Sequence, residues 1–390
     1  MKKNVLAVIG LTVLSTQAFA SKARMEALGQ GSHSYYLMDS RSVFLNAASV
    51  NEVKNYITTE WGASVQADSS SAPRAEGGFF REMGAFNYGL YLGNNGDART
   101  YTSTSSATFL QHTNALDLVL GGDMGMKWGA RLHYANAKDE SGTFTKKNSA
   151  LGVGLGLIHG DIQGYANITI SDKSEGAKVA GDMWKRKPGF QVGASYKWSG
   201  MTFFADYNGT NEEISAATGS DLTNVASIGA SSIAAGSTVT RKANDITVGA
   251  SKVHELTPGA RLITDARLVL GTTDVSGSST AAFNGKTKNN RLPVTFAMEA
   301  DATSWLTLRG SVSQNVFLGE TKSIAGKSVT TADSTTVNAG ATLNFGKLKV
   351  DGVIGRTAGA RNGTVAAAGT NEGVLATDNL MTRVGVTYNF

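Results

Sequence analysis

The chain is predicted to be all-β, a transmembrane antiparallel up-and-down β-barrel of about sixteen strands. Three observations predict it. Segments after Lys54 alternate apolar and polar side chains, the connections between them alternate short and long, and strand charges share one parity. Successive strand residues point to opposite faces, so alternation gives each strand one oily and one wet side. The charges require water on the wet side, because a cation against lipid at the membrane midplane costs ~2–4 kcal/mol.

Residues 1–20 read as a removable export signal. Lys2 and Lys3 form a positive start, Val5 to Leu14 an apolar core, and Ala18-Phe19-Ala20 a small-x-small cleavage site before Ser21. That core is shorter than the ~20 residues of a spanning helix, and no second apolar run approaches that length. Losing Lys2 and Lys3 lowers the formal charge from +5 to +3, too little to imply nucleic acid as a partner. With no cysteine there is no disulfide framework, thiolate metal site or thiol catalysis. Forty-six glycines and four prolines suit short strands joined by polar loops. The mean hydropathy of -0.13 matches a soluble protein, but only alternate barrel residues face lipid, so the average conceals the pattern.

Residues 21–53 form the least periodic stretch and are expected to be periplasmic. Within it stand Ala23-Arg-Met-Glu-Ala-Leu-Gly29 and Arg41-Ser-Val-Phe-Leu-Asn-Ala-Ala-Ser-Val50. These resemble the N-terminal segment of the fatty-acid-transporter class of barrels, where Arg-x-x-x-Leu-Gly and Asn-Pro-Ala precede the first strand. The resemblance implies a hatch folded into the lumen, although Asn46-Ala47-Ala48 lacks the proline. A short helix in the pore's periplasmic mouth and a frayed tail are both open readings.

The barrel is expected over 54–390. Strands are read near 54–64, 76–83, 86–93, 114–123, 126–137, 149–158, 162–172 and 188–198. Eight more follow near 201–209, 243–254, 260–272, 290–301, 305–318, 334–345, 347–357 and 380–390. Fourteen is the count if the weakly patterned 54–83 region does not span. Val337, Ala339, Ala341, Leu343 and Phe345 against Asn338, Gly340, Thr342 and Asn344 give a clear example of the alternation. Turns near 84–85, 124–125, 159–161, 199–200, 255–259, 302–304 and 346 are short, and every other connection is long. Outer-membrane barrels have tight periplasmic turns and longer outer loops. Trp128, Trp198 and Trp305 lie beside short turns with Tyr196, Phe203 and Phe345, as an interfacial girdle requires.

The last strand carries Val384, Val386, Tyr388 and Phe390 on one parity against Arg383, Gly385, Thr387 and Asn389. It resembles the C-terminal strand of bacterial outer-membrane β-barrels, in which a terminal Phe and alternating apolar residues are read for insertion. That resemblance implies the bacterial outer membrane as location, with its lipid and the barrel-assembly machinery as partners.

Catalytic chemistry is not expected. His33, His112, His133, His159 and His254 lack ligand spacing, and His133 alone faces inward within a strand, with no triad partner nearby in sequence. Gly152, Gly154 and Gly156 share the inner face with no helix after them, so they read as clearance for another element rather than a nucleotide loop. No enzyme, metal or cofactor is expected.

By parity the lumen receives Lys127, Arg131, Lys197, Arg261, Arg267, Arg291, Arg309, Lys347, Lys349 and Arg383. Asp117, Asp206, Asp265, Glu299, Asp301 and Asp351 join them. Ten basic against six acidic residues make a wet, mildly positive wall, so the expected function is a porin passing small hydrophilic solutes with weak anion preference. Mutual pairing of these charges as a structural ladder is the plainer alternative. The 210–242 connection either folds into the pore as a constriction or stays at the surface. A homotrimer is expected by porin analogy alone. Two further readings stay open: a transporter for hydrophobic compounds, and a structural or adhesive surface barrel.

Overall fold

The computed structural model describes residues 21–31, 34–62, 74–94, 109–110, 112, 114–219, 221–225, 230–277, 285–316, 320–322, 328–330, 335–356 and 383–390. The expected export signal at 1–20 and the start of the last strand at 380–382 lie outside these residues.

Sixteen strands close into one antiparallel barrel. In order they are Tyr56–Gly62, Arg74–Met83, Phe86–Leu92, Asn114–Asp123, Lys127–Asp139, Lys146–His159, Ile162–Glu175 and Met183–Trp198. Met201–Ser215, Thr238–Thr257 and Ala260–Gly277 follow. The twelfth strand is split at Leu292 into Gly285–Arg291 and Pro293–Asp301, and Leu306–Asn315, Thr335–Phe345, Leu348–Arg356 and Arg383–Asn389 complete the wall. Tyr56–Gly62 pairs on one side with Arg74–Met83 and on the other with Arg383–Asn389, from Tyr56↔Asn389 to Gly62↔Arg383. The first strand is therefore part of the wall, and the fourteen-strand count is excluded.

The outer face is oily. Leu118, Leu120, Leu132, Leu155, Leu157, Ile168, Val192, Phe296, Met298 and Leu308 are all exposed there, with nothing but lipid to cover them. Trp198, Trp305, Tyr196, Phe345, Tyr388 and Phe390 are exposed at the short-turn end, where amphipathic rings meet headgroups. Glycines with left-handed backbone occupy most of the tight turns, such as Gly125 at φ 81° and Gly200 at φ 75°. Strands such as Thr238–Thr257, with 20 residues, exceed the ~9–11 that cross a bilayer, so they stand proud at the long-loop end.

The 210–242 connection is shorter than expected, because Met201–Ser215 and Thr238–Thr257 extend into it. Its remainder carries a small hairpin, Leu222–Val225 with Ala230–Ile233. Leu222 and Ile233 bury against Trp184, Ile214 and Val239, with Phe109 and Ala177, in an apolar cluster over the outer mouth.

Residues 21–31 and 34–53 lie inside the barrel. A helix Lys22–Ala27, a short turn of helix Ser42–Leu45 and a 3-10 segment Ala47–Asn51 are almost wholly buried. Met25, Leu28 and Leu37 seat against Ile263 and Ala297 of the wall. Val43, Val50 and Val53 seat against Tyr56, Phe80, Tyr91 and Val119. Wall glycines make the room. A Cβ on Gly340 would stand 2.5 Å from Ala27 Cβ, and one on Gly156 would collide with Asn46 and Ala48.

Candidate functional site, a plugged lumen

Two kinds of contact hold the N-terminal segment. The first is ionic. Arg24 Nε donates to Glu299 Oε2 at 2.7 Å and its Nη2 to Oε1 at 3.1 Å, both partners buried. Arg261 and Arg309 also donate to Glu299, and Arg309 reaches Asp351 at 3.2 Å. Thr342 completes this cluster by bonding Arg309 and Asp351, and Lys349 is buried beside it. Lys22 pairs with Glu76 while its backbone N–H donates to Glu60 at 2.8 Å. Glu26 meets Arg383 at 3.2 Å, and Glu52 meets Lys127 at 2.5 Å. Arg267 pairs with Asp265 and donates to Gln30 at 3.0 Å.

The second kind is local. Ser34 caps the backbone of Leu37 at 3.1 Å, and Asp39 accepts from the N–H groups of Arg41 at 2.7 Å and Ser42 at 3.0 Å. Those bonds start the Ser42–Leu45 turn by filling its orphan donors. Burial outweighs nearby Arg24 and Arg41 and pushes the Asp39 carboxyl up to about 6. Burial likewise lowers the Lys22 ammonium, against the pull of Glu76.

The inward charges therefore meet a protein segment where an open, water-filled passage was expected. Lys127, Arg261, Arg267, Glu299, Arg309 and Arg383 bond the N-terminal segment or the residues that hold it. Asp117 is fully buried among His133 at 3.0 Å, Asn94 at 3.0 Å and Arg131 at 3.7 Å. Asp206 accepts from Tyr165 at 2.6 Å and Gln191 at 3.0 Å. Asp301 accepts from Thr307 at 2.6 Å near the short-turn end. Lys197 lines a small cavity under Tyr35 and Ser49, and Arg291 is exposed. Lys347 is displaced from the wall: the turn takes two residues, Gly346 and Lys347, and the strand begins at Leu348. Val384, Val386, Tyr388 and Phe390 lie in or directly after the closing strand, with Tyr388 and Phe390 exposed outward.

One side of the lumen is not filled. A cavity of about 310 Å³ lies between the plug residues Arg41 and Phe44 and the wall near Arg131, Asn167, Arg186 and Gln191. Arg41 Cζ lies 4.1 Å from the Phe44 ring centroid and Arg131 Cζ 5.6 Å, so the ring is flanked by two cations. Arg41 also donates to Tyr91 at 3.0 Å and Asn94 at 3.1 Å, and Arg186 to Glu212 at 2.8 Å.

This cavity reaches a flaw in the wall. Between Ile162–Glu175 and Met183–Trp198 the pairing runs to Thr169↔Gly189 and resumes at Asp172↔Arg186, leaving Ile170, Ser171, Lys187 and Pro188 outside the ladder. The flanking pairs also slip, between Leu151 and Gly152 on one side and between Lys187 and Phe190 on the other. Proline has no N–H to donate, so it belongs at such bulges. Val153, Ile168 and Phe190 line the cavity although their parity faces the lipid, and Ile168 and Phe190 are exposed. Above Phe190 the outward positions of its strand turn basic at Lys187 and Lys185, which places the flaw at the outer rim of the belt.

No family model matches this chain, and no curated protein does. In shape it is similar to a FadL homologue of Pseudomonas aeruginosa, at 11% identity and TM-score 0.48, over 95% of this chain and 98% of that one. It is also similar to the toluene transporter TodX of Pseudomonas putida, at 11% identity and TM-score 0.38, over 95% and 99%. The outer-membrane channel DcaP of Acinetobacter baumannii aligns at 10% identity and TM-score 0.40, over 86% and 95%. The closed barrel with its oily belt and aromatic girdle is a bacterial outer-membrane protein.

Proposed function

We propose that this chain is an outer-membrane transporter for small hydrophobic compounds carrying a polar end, rather than an open porin. The observation that carries this reading is the cavity between Phe44 and Gln191, whose lining includes residues from both faces of the wall. A solute there touches Ile168 and Phe190, which belong to the lipid side, and the Arg41 and Arg131 guanidiniums, which belong to the lumen. Its volume sits at the lower end of the ~300–1,000 Å³ usual for small-molecule pockets, so the compound is small. The charged inner wall, which favoured a hydrophilic solute, is largely spent on holding the plug.

The test uses the absence of native cysteine. Ile170→Cys with Lys187→Cys places two thiols across the gap in the ladder. Oxidation is expected to stop uptake of a fluorescent hydrophobic probe into outer-membrane vesicles, and reductant to restore it. Uptake indifferent to the cross-link refutes the reading. Steady large single-channel conductance of the native chain in a planar bilayer favours the porin instead.

A further inference from the structure

We propose that a basic groove on the outward face, directly above the apolar belt, binds the phosphate groups of an anionic glycolipid of the outer leaflet. The groove, of about 410 Å³, is lined by Lys138, Lys147 and Lys173 together with Asn136, Ser149 and Glu175. Register puts these side chains on the lipid side. Tyr134, Leu132 and Leu155 share the parities of Lys138 and Lys147 one or more rungs below, Ile168 reaches the same face across the bulge at Ile170, and all four are exposed to the bilayer.

The charges are arranged against their own stability. Lys138 stands directly opposite Lys147, and Lys173 directly opposite Lys185. Like charges facing each other across a ladder repel, and the register offsets this only in part by setting Glu175 opposite Lys147. Local acids neutralise only part of it. Glu140 pairs with Lys138 at 2.5 Å, Glu175 with Lys173 at 3.0 Å and Glu213 with Lys185 at 2.5 Å, while Lys147 has no ion-pair partner among the described residues.

Location selects the occupant. A cation in the hydrocarbon is costly, but at the interface the cost nearly vanishes and attraction to anionic headgroups takes over. Tyr134 marks that interface with its hydroxyl, which accepts from Asn136 at 3.1 Å. Acyl chains of a glycolipid whose phosphates enter the groove would lie along Leu132, Leu155 and Ile168, so one molecule satisfies both surfaces. A free anion would satisfy only one. Lys173 is also two residues from Ser171, which has no partner on Met183–Trp198, so the bound lipid would border the wall flaw.

The test is native mass spectrometry of the full chain in detergent with added diphosphoryl lipid A. The native chain is expected to retain the lipid, and Lys138→Ala, Lys147→Ala, Lys173→Ala combined to lose affinity roughly ten-fold or more. Lys286→Ala with Lys288→Ala, on outward positions of a distant strand, is expected to leave binding unchanged. Dephosphorylated lipid A should bind no better to the native chain than to the triple variant. Equal binding by native and triple variant overturns the proposal. So does equal retention of inorganic phosphate at the same concentration, because the lipid would then have no role.

Discussion

The two sides of the lumen differ in how they meet the plug. Toward Pro293–Asp301, Leu306–Asn315 and Leu348–Arg356 the fit is ionic and tight, with Arg24 locked on Glu299 and Gly340 pressed on Ala27. Toward Ile162–Glu175 and Met183–Trp198 the plug offers Phe44 and Arg41 to a void, and the wall behind that void is missing rungs. A buried ion pair costs desolvation that only good geometry recovers, so it marks where the segment must not move. A break in a ladder exposes polar backbone, so it marks where continuity has been given up for access. The comparison teaches that the anchoring side and the passage side of one segment are different surfaces.

The sharpest way to break the comparison is at the anchor. Glu299→Gln leaves Arg24, Arg261 and Arg309 around a neutral amide, and breaking such a buried cluster should cost about 3–5 kcal/mol. The expected readout is a lower temperature for loss of the compact band on unheated gels, with new conductance as the plug loosens. Stability equal to the native chain would mean the ion pairs do not anchor. Next in size is Gly156→Val, which drives a side chain into Asn46 and Ala48 and should cost about 1–3 kcal/mol through overpacking. Trypsin cleavage after Arg41 should accelerate in that variant; unchanged cleavage would show that the plug has room to spare.

A smaller effect is pH-dependent. Because the docked plug raises the Asp39 carboxyl from 3.8 to about 6, the docked form holds that proton more tightly than the released form. Docking is thus strongest below about pH 4 and weakens as pH rises toward about 6, then stays flat. Amides 39–46 should exchange hydrogen more slowly, after correction for intrinsic rate, at pH 5 than at pH 7.5. The difference between the native chain and Asp39→Asn isolates this group, and identical profiles would dismiss it. The smallest effect on the docked plug is expected for Phe190→Ala, whose ring faces lipid and Tyr207. It should nonetheless alter probe uptake, since Phe190 lines the cavity; unchanged uptake would detach the cavity from transport.

What could be read from the sequence follows the same division. The wall was legible because lipid outside and water inside impose a two-residue period, and that period located all sixteen strands. The flaw hid itself. On Met183–Trp198, Trp184 and Arg186 face inward on even numbers while Gly189 and Gln191 do so on odd ones, so the pattern stops at Pro188 and the strand was read as beginning there. On the neighbouring Ile162–Glu175 the inward face changes parity at Ile170, so the alternation expected to 172 does not carry in register to Glu175. Pro188 was the available clue, since a proline inside a strand calls for a bulge. The plug's seat was out of reach for another reason: Arg24 and Glu299 are 275 residues apart, and no local period connects them. The row Gly152, Gly154 and Gly156 did carry information, since Gly156 gives Asn46 its space.

The plug touches the two strands that form the seam. Lys22 bonds Glu60 on the first strand, and Glu26 bonds Arg383 on the last, while a Cβ on Gly385 would stand 2.5 Å from Ser21. The cork thus bonds both edges of the seam, so the N-terminal segment ties the first strand to the last, and seating the plug and closing the wall stabilise each other.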